Sequence, residues 1–116
     1  ERSLVIVRDY IGTPVLAQPA SLVQITVGNL LRNAIEHTRD GRIEIRIEDS
    51  LIAIRDTGEG IPADKLAQVF DRSYSTKASG TGLGLNLVKR ICDRFHWTIT
   101  LESAPDRGTL ATVRFQ

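Results

Sequence analysis

The sequence predicts an α+β fold, a two-layer α/β sandwich in which helices cover one face of a mixed, mostly antiparallel sheet. Two long segments carry apolar residues at helical spacing, and several short segments are β-branched or alternate between apolar and polar residues. Their order along the chain is strands, helix, hairpin, short helix, loop, helix, hairpin. Elements in that order bury their apolar faces most simply in two packed layers.

Strands are predicted where residues are β-branched or alternate in polarity. They are residues 3–9, a short segment at 15–17, the hairpin of 42–48 with 51–55, and the hairpin of 97–102 with 109–115. A long amphipathic helix begins at Pro19-Ala20-Ser21 and runs to about Thr38, with Gly41 as its left-handed cap.

Two further helices and a loop complete the predicted layout. A short helix is expected at 63–70 and a long one at 84–95, with an apolar stripe of Leu87, Val88, Ile91, Cys92 and Phe95. Between them, residues 71–82 are polar and small, which predicts a flexible loop of unusual length; such loops are usually functional or disordered.

Composition limits the classes of function. The chain has 116 residues, 41% hydrophobic and 25% charged, with a net charge of +1, which fits one small domain over 1–116. This charge predicts neither nucleic-acid binding nor direct membrane contact. The single cysteine, Cys92, fits a reducing cytoplasmic setting and a buried position better than a reactive thiol. The abrupt start in a strand suggests a domain of a longer protein.

Asn29, Asn33 and His37 are spaced by four residues and therefore share one polar stripe of the first long helix. Asparagine is a poor residue for a helix interior, because its amide competes for backbone hydrogen bonds. The stripe is either a solvated face or a row of ligands for Mg²⁺ and phosphates. One amide oxygen would suffice for Mg²⁺, which keeps water and substrate oxygens.

Two glycine-rich segments could bind a nucleotide. Residues 56–61 (DTGEGI) follow a strand directly, and Asp56 could accept a hydrogen bond from an exocyclic amine such as that of adenine; a local turn is the alternative. Residues 80–85 (GTGLGL) open the second long helix with backbone N–H groups suited to phosphate. They match neither a Walker A loop nor a dinucleotide fingerprint. Lys77, just upstream, is either solvated or a phosphate contact.

Four segments, in this order and spacing, resemble the ATP-binding domain shared by histidine kinases, gyrase, Hsp90 and MutL. They are NLLRNAIEHT (29–38) as the N box, DTGEGI (56–61) as the G1 box, VFDRSYS (69–75) as an altered F box, and GTGLGL (80–85) as the G2 box. The resemblance implies a Bergerat-type fold with a mobile ATP lid, and binding of ATP with Mg²⁺. The N box looks more like histidine kinases than like the hydrolases.

The resemblance also implies roles for individual residues. Asn33 would hold Mg²⁺, Asn29 would support the metal or the phosphates, and Asp56 would accept from the adenine amine. Phe70 would anchor the lid. The other nucleotide-binding residues that it implies are His37, Gly58, Gly60, Ile61, Lys77, Gly80, Thr81, Gly82, Leu83, Gly84, Leu85 and Thr109.

The branch of the family follows from one position. Hydrolases of the family carry a glutamate base one turn before the Mg²⁺ asparagine, where this chain has Asn29, so the resemblance implies phosphoryl transfer to a protein side chain. The acceptor would be a histidine on a separate dimerisation/phosphoacceptor domain, with a response regulator downstream. Glu36 departs from the family's usual lysine, and Ser73 and Ser75 from its aromatic and basic residues. The alternatives are an anti-sigma-factor-type serine kinase and a non-catalytic nucleotide-sensing module.

Overall fold

A computed structural model describes residues 4–10, 20–48, 50–66, 68–70 and 84–115. The elements within these ranges are β1 (Leu4–Tyr10), α1 (Ala20–His37), β2 (Gly41–Glu48), β3 (Leu51–Asp56), α2 (Ala63–Leu66), α3 (Gly84–Phe95), β4 (Thr98–Ser103) and β5 (Thr109–Arg114).

The strands form one sheet in the order β1-β2-β3-β5-β4. β1 pairs with β2 in parallel, because α1 lies between them in the chain and carries it back to the same end of the sheet. The β2–β3, β3–β5 and β4–β5 pairs are antiparallel. The prediction of a mixed, mostly antiparallel sheet is therefore confirmed.

The core lies between this sheet and two helices. Strand alternation places Ile43 and Ile45 of β2, with Ile52 and Ile54 of β3, on one buried face. Helix α1 packs Leu30 and Ala34 into the core, and α3 packs Leu85, Val88, Ile91 and Cys92 there. The other face carries exposed ion pairs along β2, Arg42 with Glu44 and Arg46 with Glu48. Helices thus cover one face, as predicted.

Two local predictions, the helix cap at Gly41 and the length of the short helix, are wrong or only partly right. Helix α1 ends at His37, and Gly41 is not its cap but the first residue of β2, with a φ of +147°. A Cβ on Gly41 would collide with the Thr57 hydroxyl, so close strand packing explains this glycine. Helix α2 is shorter than 63–70, because it ends at Leu66 and residues 68–70 form a turn.

The apolar stripe of α3 is also narrower than predicted. Leu87 lies at its margin and Phe95 in the last turn, and their exposed fractions are 37% and 41%. Cys92, as expected, is fully buried. His96 follows α3 with a φ of 62°, and the Trp97 N–H returns to the Cys92 carbonyl at 2.8 Å, as in a left-handed helix end. The predicted strand at 15–17 and most of the loop at 71–82 lie outside the described residues.

In the described part of the chain, no helix is both long and apolar enough to span a lipid bilayer.

Candidate functional site

Asp56 lies at the end of β3, on the side of the sheet that faces the helices, and is only 4% exposed. It begins the G1 loop, by which we mean residues 56–61. Its Oδ1 atom accepts the Gly58 N–H at 2.9 Å. Thr109, its partner in the β3–β5 register, supplies a second backbone N–H. The fold therefore holds the Asp56 carboxylate as a buried hydrogen-bond acceptor at one end of the β3–β5 pair.

Burial raises the pKa of Asp56 above the ordinary aspartate value. Four neighbours oppose this effect without cancelling it: the backbone N–H of Gly58, the charge of His37, the backbone N–H of Thr109 and the hydroxyl of Thr38. The ionised carboxylate is thus incompletely compensated by its protein donors. A further N–H donor from a ligand would stabilise it.

The C-terminal end of α1 touches the G1 loop directly. The Glu59 N–H donates to the His37 carbonyl at 3.2 Å, and His37 Nδ1 lies 3.2 Å from Glu59 Oε2. A Cβ on Gly58 would collide with the same His37 carbonyl, which explains the glycine. His37 therefore joins the polar stripe of α1 to the loop that carries Asp56.

The polar stripe borders the core. Asn29 and Asn33 are partly buried, and each directly precedes a residue of the buried stripe, Leu30 or Ala34. Asn29 Nδ2 donates to the Ile25 carbonyl of its own helix at 2.8 Å. This fixes the amide and leaves its oxygen as the remaining polar atom. Of the residues on this stripe, His37 contacts the G1 loop, and Asn29 and Asn33 are partly buried.

The turn between β4 and β5 packs against the other side of the G1 loop. Gly60 has a φ of +74°, and a Cβ there would collide with the Ala104 carbonyl. The Asp106 N–H donates to the Glu59 carbonyl at 2.7 Å. A Cβ on Gly108, whose φ is +75°, would collide with the Asp56 carbonyl. Only glycine fits such close backbone approaches.

Ser103, at the end of β4, connects these segments through one hydroxyl. Its Oγ accepts the Ile61 N–H at 2.8 Å and donates to the Gly108 carbonyl at 2.9 Å. The same oxygen lies 2.8 Å from Thr109 Oγ1. The sequence analysis missed Ser103, Gly108 and Thr38. The available signal was a glycine directly before Thr109, in a hairpin turn that follows a strand-ending serine.

The segments predicted to contact phosphates are only partly described. Gly84 is the first residue of α3, whereas Leu85 is 8% exposed and belongs to the core, so any contact of its own with a nucleotide would come from its backbone. Phe70 packs on the core, and its carbonyl accepts from Asn86 Nδ2 of α3 at 3.0 Å. Lys77, Gly80, Thr81, Gly82 and Leu83 lie outside the described residues.

The donor set suits Mg²⁺ only as an amide-oxygen site. The described ranges contain no group of three or more His, Cys, Asp or Glu residues arranged for a metal. The stripe offers amide oxygens from Asn29 and Asn33 instead. Mg²⁺ commonly takes one or two protein oxygens and completes its shell with water and phosphate, so this set fits a metal that arrives with a nucleotide.

Comparisons with known proteins show what this chain is similar to. The sensor histidine kinase ZraS of Klebsiella oxytoca is 37% identical over 102 residues, which cover 83% of this chain and 22% of that protein. The catalytic domain of the histidine kinase ThkA superposes with a TM-score of 0.82 at 25% identity, covering 95% of this chain and 76% of that one. Full-length ShkA, in complex with AMPPNP, has the same fold, with a TM-score of 0.80 at 20% identity, covering 95% of this chain and 25% of that one.

The chain spans about a fifth of the length of the first curated relatives that it matches. A family model described as "Histidine kinase-, DNA gyrase B-, and HSP90-like ATPase" matches residues 18–116, most of the chain. The chain belongs to this family of ATPase domains, and the proteins compared above are histidine kinases.

Proposed function

We propose that this chain binds ATP with Mg²⁺ and donates the γ-phosphoryl group to a histidine on a separate dimerisation/phosphoacceptor domain. The reaction would belong to two-component signalling in the cytoplasm, with a response regulator downstream. One observation carries the proposal. His37 contacts the G1 loop, which brings the amide stripe of α1 and the buried carboxylate of Asp56 to one site.

Asp56 is the candidate receptor for the base. It is a buried acceptor whose pKa is raised by burial, so a hydrogen bond from a ligand N–H would offset part of the free energy lost by removing the carboxylate from water. The adenine amine is a neutral donor of the right type. Gly58, Gly60 and Ile61 would form the wall of the base pocket, since their backbones are fixed by the end of α1 and by the β4–β5 turn.

Asn33 is the candidate Mg²⁺ ligand, and Asn29 would support it one turn earlier on the same stripe. The metal, when bound, would neutralise charge on the phosphates. An asparagine amide cannot take a proton from water near neutral pH, so Asn29 is no general base. A site without such a base favours transfer to a positioned side chain over hydrolysis, which supports a kinase rather than an ATP hydrolase.

The test has two stages. Calorimetry first measures MgATP binding to the 116-residue chain. The chain is then incubated with γ-labelled ATP and a separately purified, dimeric helical hairpin domain that carries an acceptor histidine. We expect acid-labile label on the hairpin and none on the chain alone. The matched control is the same hairpin with that histidine replaced by glutamine, which should stay unlabelled.

Other outcomes distinguish the alternative functions. Acid-stable label on a serine of an added substrate protein would favour the anti-sigma-factor-type kinase. A folded chain that binds no MgATP would favour a non-catalytic interaction module and would overturn the proposal.

A further inference from the structure

We propose that Ser103 is a positioning residue that sets the base preference of the nucleotide site by fixing the proton of the Thr109 hydroxyl. The inference rests on the proposed function, since it concerns the same pocket. Ser103 lies on β4, beside Thr109 in the β4–β5 register, and Thr109 lies beside Asp56 in the β3–β5 register. The three residues therefore form one polar row across the sheet.

The hydroxyl of Ser103 has one proton and two lone pairs. The Ile61 backbone N–H can only donate, so it occupies one lone pair at 2.8 Å. The Gly108 carbonyl can only accept, so the Ser103 proton goes there at 2.9 Å. The remaining lone pair faces Thr109 Oγ1 at 2.8 Å. All three contacts are satisfied together only when the Thr109 hydroxyl donates to Ser103.

This arrangement fixes what Thr109 offers to a ligand. With its proton committed to Ser103, the hydroxyl of Thr109 has only lone pairs left. Asp56, its neighbour across β3–β5, is also an acceptor when ionised. Two adjacent acceptors suit a base that presents an amine at this edge, as adenine does. They disfavour hypoxanthine or guanine, which present a carbonyl oxygen at the same position. That oxygen cannot donate to the buried acceptors of Asp56 and Thr109, so all of these groups would be left unpaired.

Removing the Ser103 hydroxyl would release the Thr109 proton. Thr109 could then rotate and donate to a carbonyl oxygen, so the pocket would discriminate less between the two kinds of base. The effect differs from simple destabilisation, which would weaken all nucleotides in the same proportion. The ratio of ATP to ITP affinity is therefore the diagnostic quantity, because ITP carries hypoxanthine and the same triphosphate.

The experiment measures MgATP and MgITP affinities by calorimetry for the native chain and for Ser103→Ala. We expect the native chain to prefer ATP, and the preference to fall about tenfold in Ser103→Ala, the effect of one mispaired buried polar group. Ser103→Thr, which keeps the hydroxyl, should retain the native ratio. Thr100→Ala, an exposed change on the same strand, should leave both affinities unchanged.

A double-mutant cycle tests whether Ser103 acts through Thr109. In a Thr109→Val background, Ser103→Ala should change the ATP/ITP ratio no further. If Ser103→Ala does not fold, Ser103→Cys keeps the side-chain size with a much weaker hydrogen-bonding group, and a smaller change in the same direction is expected.

Two results would overturn the inference in distinguishable ways. An unchanged ATP/ITP ratio in Ser103→Ala, with a lower melting temperature, would give Ser103 a merely structural role and leave the proposed function intact. A native chain that binds no MgATP would overturn both.

Discussion

The two ends of the candidate site are built differently. At the base end, formed by Asp56, the rest of the G1 loop and Thr109, the Gly58 N–H bonds to Asp56 within the loop. Hydrogen bonds from Glu59 and Ile61 tie the loop to its neighbours. At the metal end, formed by Asn29, Asn33 and His37, the amide nitrogen of Asn29 bonds to Ile25 of its own helix, and His37 contacts the G1 loop. The base end is thus held by contacts between elements, whereas the two asparagines of the metal end lie on a helix face.

The difference indicates how the two halves of a nucleotide would be recognised. A rigid, buried acceptor suits a flat base of one hydrogen-bonding pattern, because a mismatch there leaves polar groups unpaired. Amides on a half-buried helix face suit a metal that brings its own water and phosphate ligands. Substitutions at the base end should therefore disturb stability and base affinity, and those at the metal end should disturb the response to Mg²⁺.

The largest effect is expected from Gly60→Ala, at the base end. The alanine would have to adopt the φ of +74° that Gly60 has, and its Cβ would collide with the Ala104 carbonyl. The free energy of unfolding should therefore fall by about 3 kcal/mol. Urea unfolding measures it. Gly28→Ala is the matched control, since a Cβ there meets nothing within 4 Å. Because alanine favours a helix more than glycine does, this change should raise the free energy of unfolding by roughly 0.5–1 kcal/mol. Equal effects of the two changes would show that the G1 loop is not held as described.

Asp56→Asn should leave the fold intact and weaken MgATP binding by about 30-fold, because it removes a charge-assisted acceptor. Calorimetry measures the affinity, and circular dichroism checks the fold. Native-like affinity in this variant would move the base contact away from Asp56 and abolish the distinction between the two ends.

The affinity for MgATP should also fall on acidification. The folded-state pKa of Asp56 is raised, so this carboxyl gains its proton at a higher pH than an ordinary aspartate. Below that pKa, binding must first remove the proton, and affinity should fall by up to about tenfold per pH unit. In Asp56→Asn this component of the pH profile should vanish. The native and variant profiles would coincide if the carboxylate played no part.

The same shift has a defined sign for stability. Because the folded pKa lies above the unfolded pKa, ionisation costs more in the folded state. The contribution of Asp56 to the free energy of unfolding therefore decreases as the pH rises from the ordinary aspartate pKa through the raised value. It recovers on acidification through the same window.

At the metal end, Asn33→Ala should reduce the enhancement of ATP affinity by Mg²⁺ about tenfold and leave metal-free binding nearly unchanged. Asn29→Ala is the comparison variant and should have a smaller effect, because its amide nitrogen is bonded to Ile25 of its own helix. Titrations with and without Mg²⁺ separate the two. Undiminished Mg²⁺ dependence in Asn33→Ala would remove this residue from the metal end.

The smallest effect is expected at Glu36, which lies on α1 directly before His37 of the polar stripe and stands where the resemblance to the N box implies a lysine. Glu36→Lys should raise MgATP affinity about threefold at low salt, since partly exposed charges are worth little more. The gain should disappear at high salt, and Glu36→Gln should give part of it. A gain that persists at high salt would indicate a direct contact rather than a long-range charge effect.

Periodicity predicted the framework because helices and strands have different repeats. The alternating strand predicted over 42–48 and the amphipathic first helix appear in the structure, with Ile43, Ile45 and Leu30 buried. The position of Asp56 at a strand end also followed from the sequence. The bond between Ser103 and Ile61 did not, because the two residues lie 42 positions apart and meet only in the folded structure.

Gly41 was identified from the sequence but assigned the wrong role. A glycine after a helix predicts a cap by local rules, whereas here the requirement comes from Thr57 across the β2–β3 pair. Local chemistry identified the residue as special and gave the wrong reason. The base end depends on such non-local contacts, so its residues were harder to assign than those on one helix face.

Cys92 has a practical consequence for following these changes. It is the chain's single cysteine, it is fully buried in α3, and burial raises its pKa to about 11, so very little reactive thiolate is present in the folded state. A thiol reagent should therefore modify it only when α3 leaves the sheet. The rate of modification therefore reports how often the core opens. This rate can be measured without any engineered label and compared with and without nucleotide.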